Sequence, residues 1–221
     1  MSILKIVYNI ILDALFPRSS AELESIAYSP EEAWKKLPRA PKPPLKDAFS
    51  IFAYKDERVS KLVWNIKYKK SAKAIAIGGY ALYKQFVEFT KERRGIIIVP
   101  IPITQKRRNE RGYNQCELLV DEMKQLDVKN KFIICKDLLE RVHHLSRQTL
   151  KNREARLEST RGIFAVNEEN TRRSFNIEFD IKKTTVVIID DVITTGSTMK
   201  EAMETLRNAG FENVFGLSLA H

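Results

Sequence analysis

The sequence predicts an α/β fold in which an open, mainly parallel and twisted sheet is flanked by helices. Two stretches dominated by apolar residues, 95–104 and 186–189, are typical of strands buried on both faces of a parallel sheet. Segments with the apolar spacing of helices separate these strands, as β-α-β units require. A chain of 221 residues is long enough to bury a sizeable core.

The first 47 residues are expected to form an N-terminal helix followed by a proline-rich connecting segment. Residues 3–16 are apolar but too short to span a bilayer, and they lack a small-residue cleavage site, so they predict an amphipathic helix. This helix docks either on the protein's own core or peripherally on a membrane or a partner. Six of the eight prolines lie within residues 17–44, which predicts mainly irregular structure for residues 17–47.

Residues 48–221 are expected to form the α/β domain, with its elements in alternating order. Pro100 and Pro102 end the second strand, because proline cannot donate to a central ladder, and a basic loop is expected at 105–115. The predicted strands are 48–54, 95–104, 131–135, 162–166, 186–189 and 214–220, and the predicted helices are 56–70, 72–93, 116–126 and 198–209.

The stretch at residues 186–198 carries the strongest chemical signal in the chain. It reads Val-Val-Ile-Ile-Asp-Asp-Val-Ile-Thr-Thr-Gly-Ser-Thr, so Asp190 and Asp191 fall at the carboxyl end of a buried strand, where ligands of α/β sheets bind. Gly196 and the following helix N-terminus suit a phosphate. Two carboxylates would repel a bare phosphate, so the pattern favours a phosphate with a diol or Mg²⁺ beside it, as in ribose 5-phosphate. The alternative is a capped helix with acids facing water.

Composition favours an anionic partner and a reducing compartment. The formal net charge is +10 and the pI is about 9.5, so nucleic acid and an anionic nucleotide precursor are candidates, with a merely solubilising charge as the alternative. The two cysteines, Cys116 and Cys135, form no CxxC motif, so neither a disulfide framework nor a local zinc site is expected.

Basic residues concentrate in two segments beside the predicted ligand edge. The loop at 105–115 follows a parallel strand and therefore lies at the edge that carries Asp190. The segment at about 137–166 is predicted to be a mobile basic flap over the ligand or a track for single-stranded nucleic acid, the alternative being a solvated helix face. The candidate nucleic-acid or pyrophosphate-binding residues are Arg107, Arg108, Arg111, Tyr113, Arg141, Arg147, Arg153 and Arg156.

Residues 186–198 resemble the phosphoribosyl pyrophosphate (PRPP) signature of type I phosphoribosyltransferases. Taken with Val-Pro-Ile-Pro-Ile at 99–103, Arg-Gly-Tyr-Asn-Gln at 111–115, Arg141 with Gln148, and residues 153–164, they are similar to the ComF family, from about Phe49 to the C-terminus. This resemblance implies a type I phosphoribosyltransferase-like fold and a role in DNA uptake during natural transformation. It also implies a competence helicase as partner. The cysteine usage fits a cytoplasmic location, and the predicted N-terminal helix allows peripheral contact with the inner membrane.

The resemblance also implies roles for individual residues. Asp190 and Asp191 would be the catalytic pair, holding the ribose 2′ and 3′ hydroxyls or Mg²⁺, directly or through water. The expected PRPP-binding residues are Thr194, Thr195, Gly196, Ser197 and Thr198 for the 5-phosphate, and Pro102, Ile103 and Thr104 in the pyrophosphate loop. Many ComF proteins begin with a four-cysteine zinc module; because no cysteine precedes Cys116, zinc is not expected here.

The expected function is therefore that of a ComF-type protein that binds PRPP or a related ribose 5-phosphate with Mg²⁺ and handles single-stranded DNA. Turnover of PRPP stays open, because no residue is an evident base for an acceptor. The alternative is a phosphoribosyltransferase of nucleotide or base salvage, which is disfavoured because the sequence ends soon after the last strand and offers no base-recognition wall. A third hypothesis is a PRPP-sensing regulator without turnover.

Overall fold

The computed structural model describes residues 19–142, 162–167 and 180–221, apart from residues 44, 92 and 94. Its strands are β1 (Ala48–Phe52), β2 (Ile96–Pro100), β3 (Phe132–Ile134), β4 (Leu139–Arg141), β5 (Phe164–Val166), β6 (Thr185–Val192) and β7 (Asn213–Ala220). Five of them form a sheet in the order β1-β7-β6-β2-β3 in which every neighbouring pair is parallel, while β4 and β5 form a separate antiparallel pair. The predicted α/β class with a parallel sheet is confirmed.

Helices cover both faces of this sheet. They are α1 (Ser20–Ala27), α2 (Pro30–Lys36), α3 (Glu57–Trp64), α4 (Ala72–Phe89), α5 (Gln105–Arg111), α6 (Gln115–Leu126) and α7 (Ser197–Asn208). Side chains of β6 alternate between two cores: Val187 and Ile189 pack with α3, α4 and α6, whereas Val186 and Ile188 pack with α7 and the β4-β5 pair. Burial on both faces explains why β6 has no polar interruption before its end.

The amino-terminal part of the described chain corrects the expectation of mainly irregular structure at residues 17–47. It contains α1 and α2, and Pro30 occupies the first position of α2, where its missing N–H is not needed and its fixed φ suits a helix. Ser29 and Glu32 add a reciprocal capping box. Ala33 and Leu37 are buried in the same core as Phe52, so this segment packs on the sheet domain. A division of the chain near residue 47 stays a prediction.

The basic segment that follows β2 is also more ordered than the sequence predicts. In place of a loop, residues Gln105–Arg111 form α5, which begins at the side-chain cap of Thr104 and ends at Gly112, a residue in the left-handed conformation with φ of 78°. None of the α5 side chains is buried, so the helix has no apolar periodicity by which the sequence could reveal it.

Several expectations fall on residues that the structure does not describe. The N-terminal helix at 3–16, the basic residues Arg147, Arg153 and Arg156, and most of the predicted flap lie outside the described ranges. The two ends of that flap are β4 and β5, which confirms the returning strand predicted at 162–166. Within the described residues, no helix is both long enough and apolar enough to cross a membrane.

Candidate ligand-binding site

The candidate site lies where the strand order of the sheet reverses. From β2 the chain crosses to β3 on one side, and from β6 it crosses to β7 on the other, while β2 and β6 are direct neighbours. Such a switch point leaves a crevice outside the carboxyl ends of the two strands, where α/β proteins bind ligands. Pro100 pairs in register with Ile189, so the chain segments after both strands leave the sheet side by side.

Asp190 and Asp191 stand at the end of β6, in contact with different neighbours. Asp190 lines a pocket with the residues that follow it, and its Oδ1 accepts the Asp191 backbone N–H at 2.8 Å and the Cys116 thiol at 3.7 Å. Asp191 is only 4% exposed, and its Oδ2 lies 3.1 Å from Lys67 Nζ. The two adjacent acids therefore present one carboxylate to the pocket and one to a partly buried lysine.

Burial raises the pKa of Asp190 to about 7, and the nearby charge of Asp191 adds to this effect, while the Asp191 backbone N–H and Lys67 oppose it. Burial likewise raises the pKa of Cys116, which the charge of Asp190 reinforces. A carboxyl whose ionisation is unfavourable near neutral pH gains from an arriving cation or hydroxyl donor. The pair is thus better suited to a ligand than to packing.

The donor set at this edge fits Mg²⁺. The Asp191 Oδ2 atom is buried and lacks a hydrogen-bond donor in suitable geometry, although Lys67 is within ion-pair distance. Among the described residues, no cluster of three or more metal-ligating side chains occurs, so this edge offers two carboxylates. Mg²⁺ commonly binds through one or two carboxylates, retaining waters and taking its remaining ligands from substrate phosphates.

The loop after β6 forms the floor of the pocket. The pocket has an empty volume of about 220 Å³, partly open to solvent, and is lined by Asp190, Val192, Ile193, Thr194, Gly196, Ser197, Thr198 and Met199. Gly196 has φ of 82°, and a Cβ there would lie 2.8 Å from Leu45 Cδ1, so glycine is required for conformation and for space.

The first turn of α7 is open toward this pocket. Gly196, the N-cap residue of α7, offers no capping side chain, and Thr195 Oγ1 accepts the Ser197 backbone N–H only at a long 3.5 Å, whereas α1 to α6, the other α-helices of the described ranges, each have a capping side chain. The first backbone N–H groups of an α-helix have no partner within it, and together with the helix dipole they favour an anion. The Thr195 and Ser197 hydroxyls, 3.1 Å apart, add polar groups beside this turn. The geometry therefore suits a phosphate.

The segment after β2 is held in place by a buried amide. Asn114, 1% exposed, donates from Nδ2 to the Ile101 carbonyl at 2.9 Å, and the Ile101 N–H donates to the Ile189 carbonyl at 2.9 Å. Residues 102–104 leave the sheet from this anchored point, with Thr104 capping α5. Pro102, Ile103 and Thr104 are thus brought to the same edge as the carboxylates.

Lys67 is a site residue that the sequence-based predictions missed. It lies in a π-helical turn, Asn65–Lys69, that continues α3, and turns of this kind are rare and often occur at functional sites. Its position among other lysines at a helix end gives no signal of its own, because helix C-termini favour lysine for electrostatic reasons alone. The contact with Asp191 becomes visible only in three dimensions.

The structure places the described basic candidates around the site edge. Arg141 is partly buried, and its pKa is lowered by burial and by the charge of Arg107, while Glu201 and Asp190 oppose this shift, so each of these three groups lies within electrostatic range of Arg141. Arg108 pairs with Glu117.

Arg111 and Tyr113 lie on the side of the edge that faces the π-helical turn. Arg111 donates to Gln115 Oε1 at 2.9 Å, and the Tyr113 hydroxyl donates to the Ile66 carbonyl at 2.9 Å. The second of these bonds ties the α5–α6 connection to the π-helical turn.

Comparison with known proteins gives a consistent result. Residues 139–217 match the phosphoribosyl transferase domain family. Competence protein F of Haemophilus influenzae is 33% identical over 132 residues, which are 56% of this chain and 50% of that protein. DNA utilization protein YhgH of Escherichia coli K12 is 29% identical over 115 residues, which are 51% of this chain and 44% of YhgH. The chain thus spans about half the length of the curated relatives it matches.

A solved hypoxanthine phosphoribosyltransferase from Staphylococcus aureus aligns with 65% of this chain and 63% of its own, at 16% identity and a TM-score of 0.36, which is too distant to support any inference about the site. The domain match and the curated relatives instead confirm the family resemblance drawn from the sequence motifs. Residues 139–217 match the phosphoribosyl transferase domain family, and the chain is similar, over about half its length, to the ComF-family proteins competence protein F and YhgH.

Proposed function

We propose that this protein is a ComF-type competence protein that binds PRPP, or a related ribose 5-phosphate ligand, together with Mg²⁺ and handles single-stranded DNA during uptake for natural transformation. The observation that carries the ligand part is the adjacent pair Asp190 and Asp191 at the switch point of the sheet, beside the uncapped first turn of α7. The names of the relatives, competence protein F and DNA utilization protein YhgH, support the DNA part.

The geometry supports a definite placement of the ligand. A 5-phosphate would bind at residues 194–198, where backbone N–H groups and hydroxyls converge. The ribose hydroxyls would then reach Asp190 and Asp191. A pyrophosphate group would lie toward residues 102–104, within the field of Arg107 and Arg141. The 5-phosphate and the pyrophosphate of PRPP would thus bind at different points along the edge formed by the carboxyl ends of β2 and β6.

If the protein is a catalyst, the reaction is displacement at the ribose C1 with departure of pyrophosphate. Bound Mg²⁺ would supply charge neutralisation for that leaving group. The chain's own residues would orient the ribose through the two aspartates and hold the 5-phosphate on the α7 turn, so positioning would account for most of the rate. Asp190 and Asp191 are the residues proposed to hold the metal, directly or through water.

Calorimetry tests the ligand site. Titration of PRPP with Mg²⁺ should give saturable binding that is lost in the double variant Asp190→Asn with Asp191→Asn. Asp121→Asn is the matched control, because Asp121 is an exposed acid paired with Lys136 at 2.7 Å, away from the crevice. Circular dichroism should find all three proteins folded. Unchanged binding in the double variant would overturn the site assignment.

The alternative, a phosphoribosyltransferase of salvage, keeps some support from the domain match at residues 139–217. It predicts pyrophosphate release from PRPP in the presence of a free purine or pyrimidine base. The ComF-type proposal predicts no such release, together with loss of DNA uptake in a deletion strain and its recovery with the wild-type gene. We also keep as proposals a cytoplasmic location, a competence helicase as partner, and peripheral membrane contact through residues 3–16.

A further inference from the structure

An exposed aromatic pair lies on the π-helical turn and its preceding residue, next to the candidate site. Trp64 is 40% exposed and Tyr68 is 59% exposed, and their ring centroids are 5.8 Å apart with the planes tilted by 45°. Single exposed apolar residues are common on protein surfaces, but two large rings in contact with each other and with water are not explained by packing of the core.

Cations surround these rings. Arg111 Cζ lies 5.0 Å from the Tyr68 ring centroid, and Lys69 Nζ, which also pairs with Glu22, lies 5.0 Å from that of Trp64. Lys70 Nζ lies 5.4 Å from the ring of Tyr113. Residues 61–73 contain five lysines and no carboxylate. The surface formed by Trp64, Tyr68, Lys70 and Arg111 is called the aromatic–basic surface below.

The charge of this surface is not neutralised locally. Within the part of the chain that the structure describes, neither Lys70 nor Arg111 forms an ion pair with a carboxylate, and the hydrogen bond of Arg111 to Gln115 leaves its charge intact. An anionic partner would therefore gain Coulomb energy here without displacing an internal acid. Exposed rings near cations that have no carboxylate partner favour stacked bases joined by phosphates over an apolar protein segment.

The aromatic–basic surface adjoins the ligand edge directly. Tyr113 Oη donates to the Ile66 carbonyl at 2.9 Å, which fixes the connection between α5 and α6 against the π-helical turn. Lys67, the residue before Tyr68, reaches Asp191 at 3.1 Å. A strand of nucleic acid lying on the rings would thus run past the opening of the crevice.

We propose that Trp64 and Tyr68 form a platform on which bases of a single-stranded nucleic acid stack, with Lys70 and Arg111 contacting its phosphates. This inference rests on the nucleic-acid part of the proposed function and assigns it a surface. Stacking on aromatic rings is tolerant of sequence, because every base has a π face, and cations from arginine add to it. The platform is therefore expected to bind single strands of any sequence.

A second aromatic cluster supplies a matched control. Phe49 and Phe215 lie in the amino-terminal halves of β1 and β7, at the end of the sheet opposite the candidate site. The Phe89 ring contacts both, with centroid distances of 5.0 Å to Phe49 and 4.8 Å to Phe215, and Arg93 Cζ lies 4.3 Å from the Phe215 ring. Phe49 is 39% exposed, which is close to the exposure of Trp64. Phe49→Ala therefore removes the exposed ring of a cluster whose other two rings lie next to Arg93, without touching the proposed platform.

Fluorescence anisotropy with a labelled oligothymidine measures the effect. Trp64→Ala with Tyr68→Ala should weaken binding at least about tenfold, since each stacked base contributes on the order of 1–3 kcal/mol. Trp64→Phe with Tyr68→Phe keeps the ring faces and should retain most of the affinity, as should Phe49→Ala. Arg111→Gln should reduce the slope of log affinity against log salt by about one, whereas the aromatic variants should leave that slope unchanged.

The outcomes separate this inference from the proposed function. If the wild type fails to bind single strands, the nucleic-acid part of the proposed function fails and the platform with it. If the wild type binds and the double alanine variant binds equally well, the platform is refuted while DNA handling stands. A variant that keeps its affinity for single strands but loses a protein partner would assign the surface to that partner and also refute the platform. PRPP titration of the Trp64 and Tyr68 variants, in the absence of nucleic acid, should be unchanged, because neither ring lines the pocket.

Discussion

Asp190→Asn is expected to make the protein more stable at pH 8. The aspartate is costly to ionise in the folded state, because burial and the neighbouring Asp191 raise its pKa from 3.8 to about 7. A shift of about three units corresponds to at most about 4 kcal/mol at pH values above both pKa values, at about 1.4 kcal/mol per unit. Asparagine keeps an Oδ1 acceptor for the Asp191 backbone N–H, which aspartate now accepts at 2.8 Å, and removes the charge.

The sign of the pH dependence is fixed by the direction of that shift. Between about pH 4 and pH 7 the folded state retains a proton that the unfolded state has lost, so the free energy of unfolding of the wild type falls as the pH rises. The advantage of the Asp190→Asn variant should therefore be absent near pH 4, grow through pH 7 and be complete at pH 8. An ordinary surface acid has the opposite dependence or none.

Urea denaturation followed by circular dichroism, in buffer containing EDTA, measures this difference. The expected gain at pH 8 is about 2–4 kcal/mol, well above the precision of the method. Asp121→Asn is the control and should change stability by no more than about 1 kcal/mol, because its ion pair with Lys136 is exposed. An Asp190→Asn protein that is no more stable than wild type at pH 8 would refute the account of Asp190 as a strained, ligand-ready carboxyl.

Two further substitutions test the surroundings of the pair. Lys67→Met should lower the free energy of unfolding by about 3 kcal/mol, because it leaves the Asp191 carboxylate buried without its counter-ion. Lys36→Met, which breaks an exposed ion pair, is the control. Equal losses of stability in the two variants would contradict the role of burial. Gly196→Ala should destabilise by about 1–3 kcal/mol through its φ of 82° and its clash with Leu45, and it should abolish binding of the 5-phosphate in calorimetry. Adding Leu45→Ala relieves the clash but not the backbone strain, so full recovery would show that φ is unimportant.

The central strands of the sheet could be predicted from the sequence because their residue pattern follows a simple rule. A strand buried on both faces is dominated by apolar residues, so β6 and the position of Asp190 near its carboxyl end follow from the apolar run at residues 186–189. The Gly196 turn was predictable for a similar reason, since glycine before a helical pattern marks a special backbone position. Both features depend on residues close together in the chain.

The features that were missed have different causes. The helix α2 was obscured by the proline density, although Ser29, Pro30 and Glu32 form a local helix-start signal that could have revealed it. α5 has no buried side chain and hence no periodic signal. The contact of Lys67 with Asp191 joins distant parts of the chain, and nothing in either local sequence specifies it.

The π-helical turn contributes residues to both the candidate ligand site and the proposed platform for nucleic acid. Lys67 and Tyr68 are consecutive residues of this turn, one paired with Asp191 and the other in contact with Trp64 at the surface. A ligand that drew Lys67 away from Asp191 would therefore also shift the adjoining ring of the proposed platform. Linkage is reciprocal, so PRPP and a nucleic acid would change each other's affinity by the same factor. Binding of either ligand would then be detectable as a change in the affinity of the protein for the other ligand.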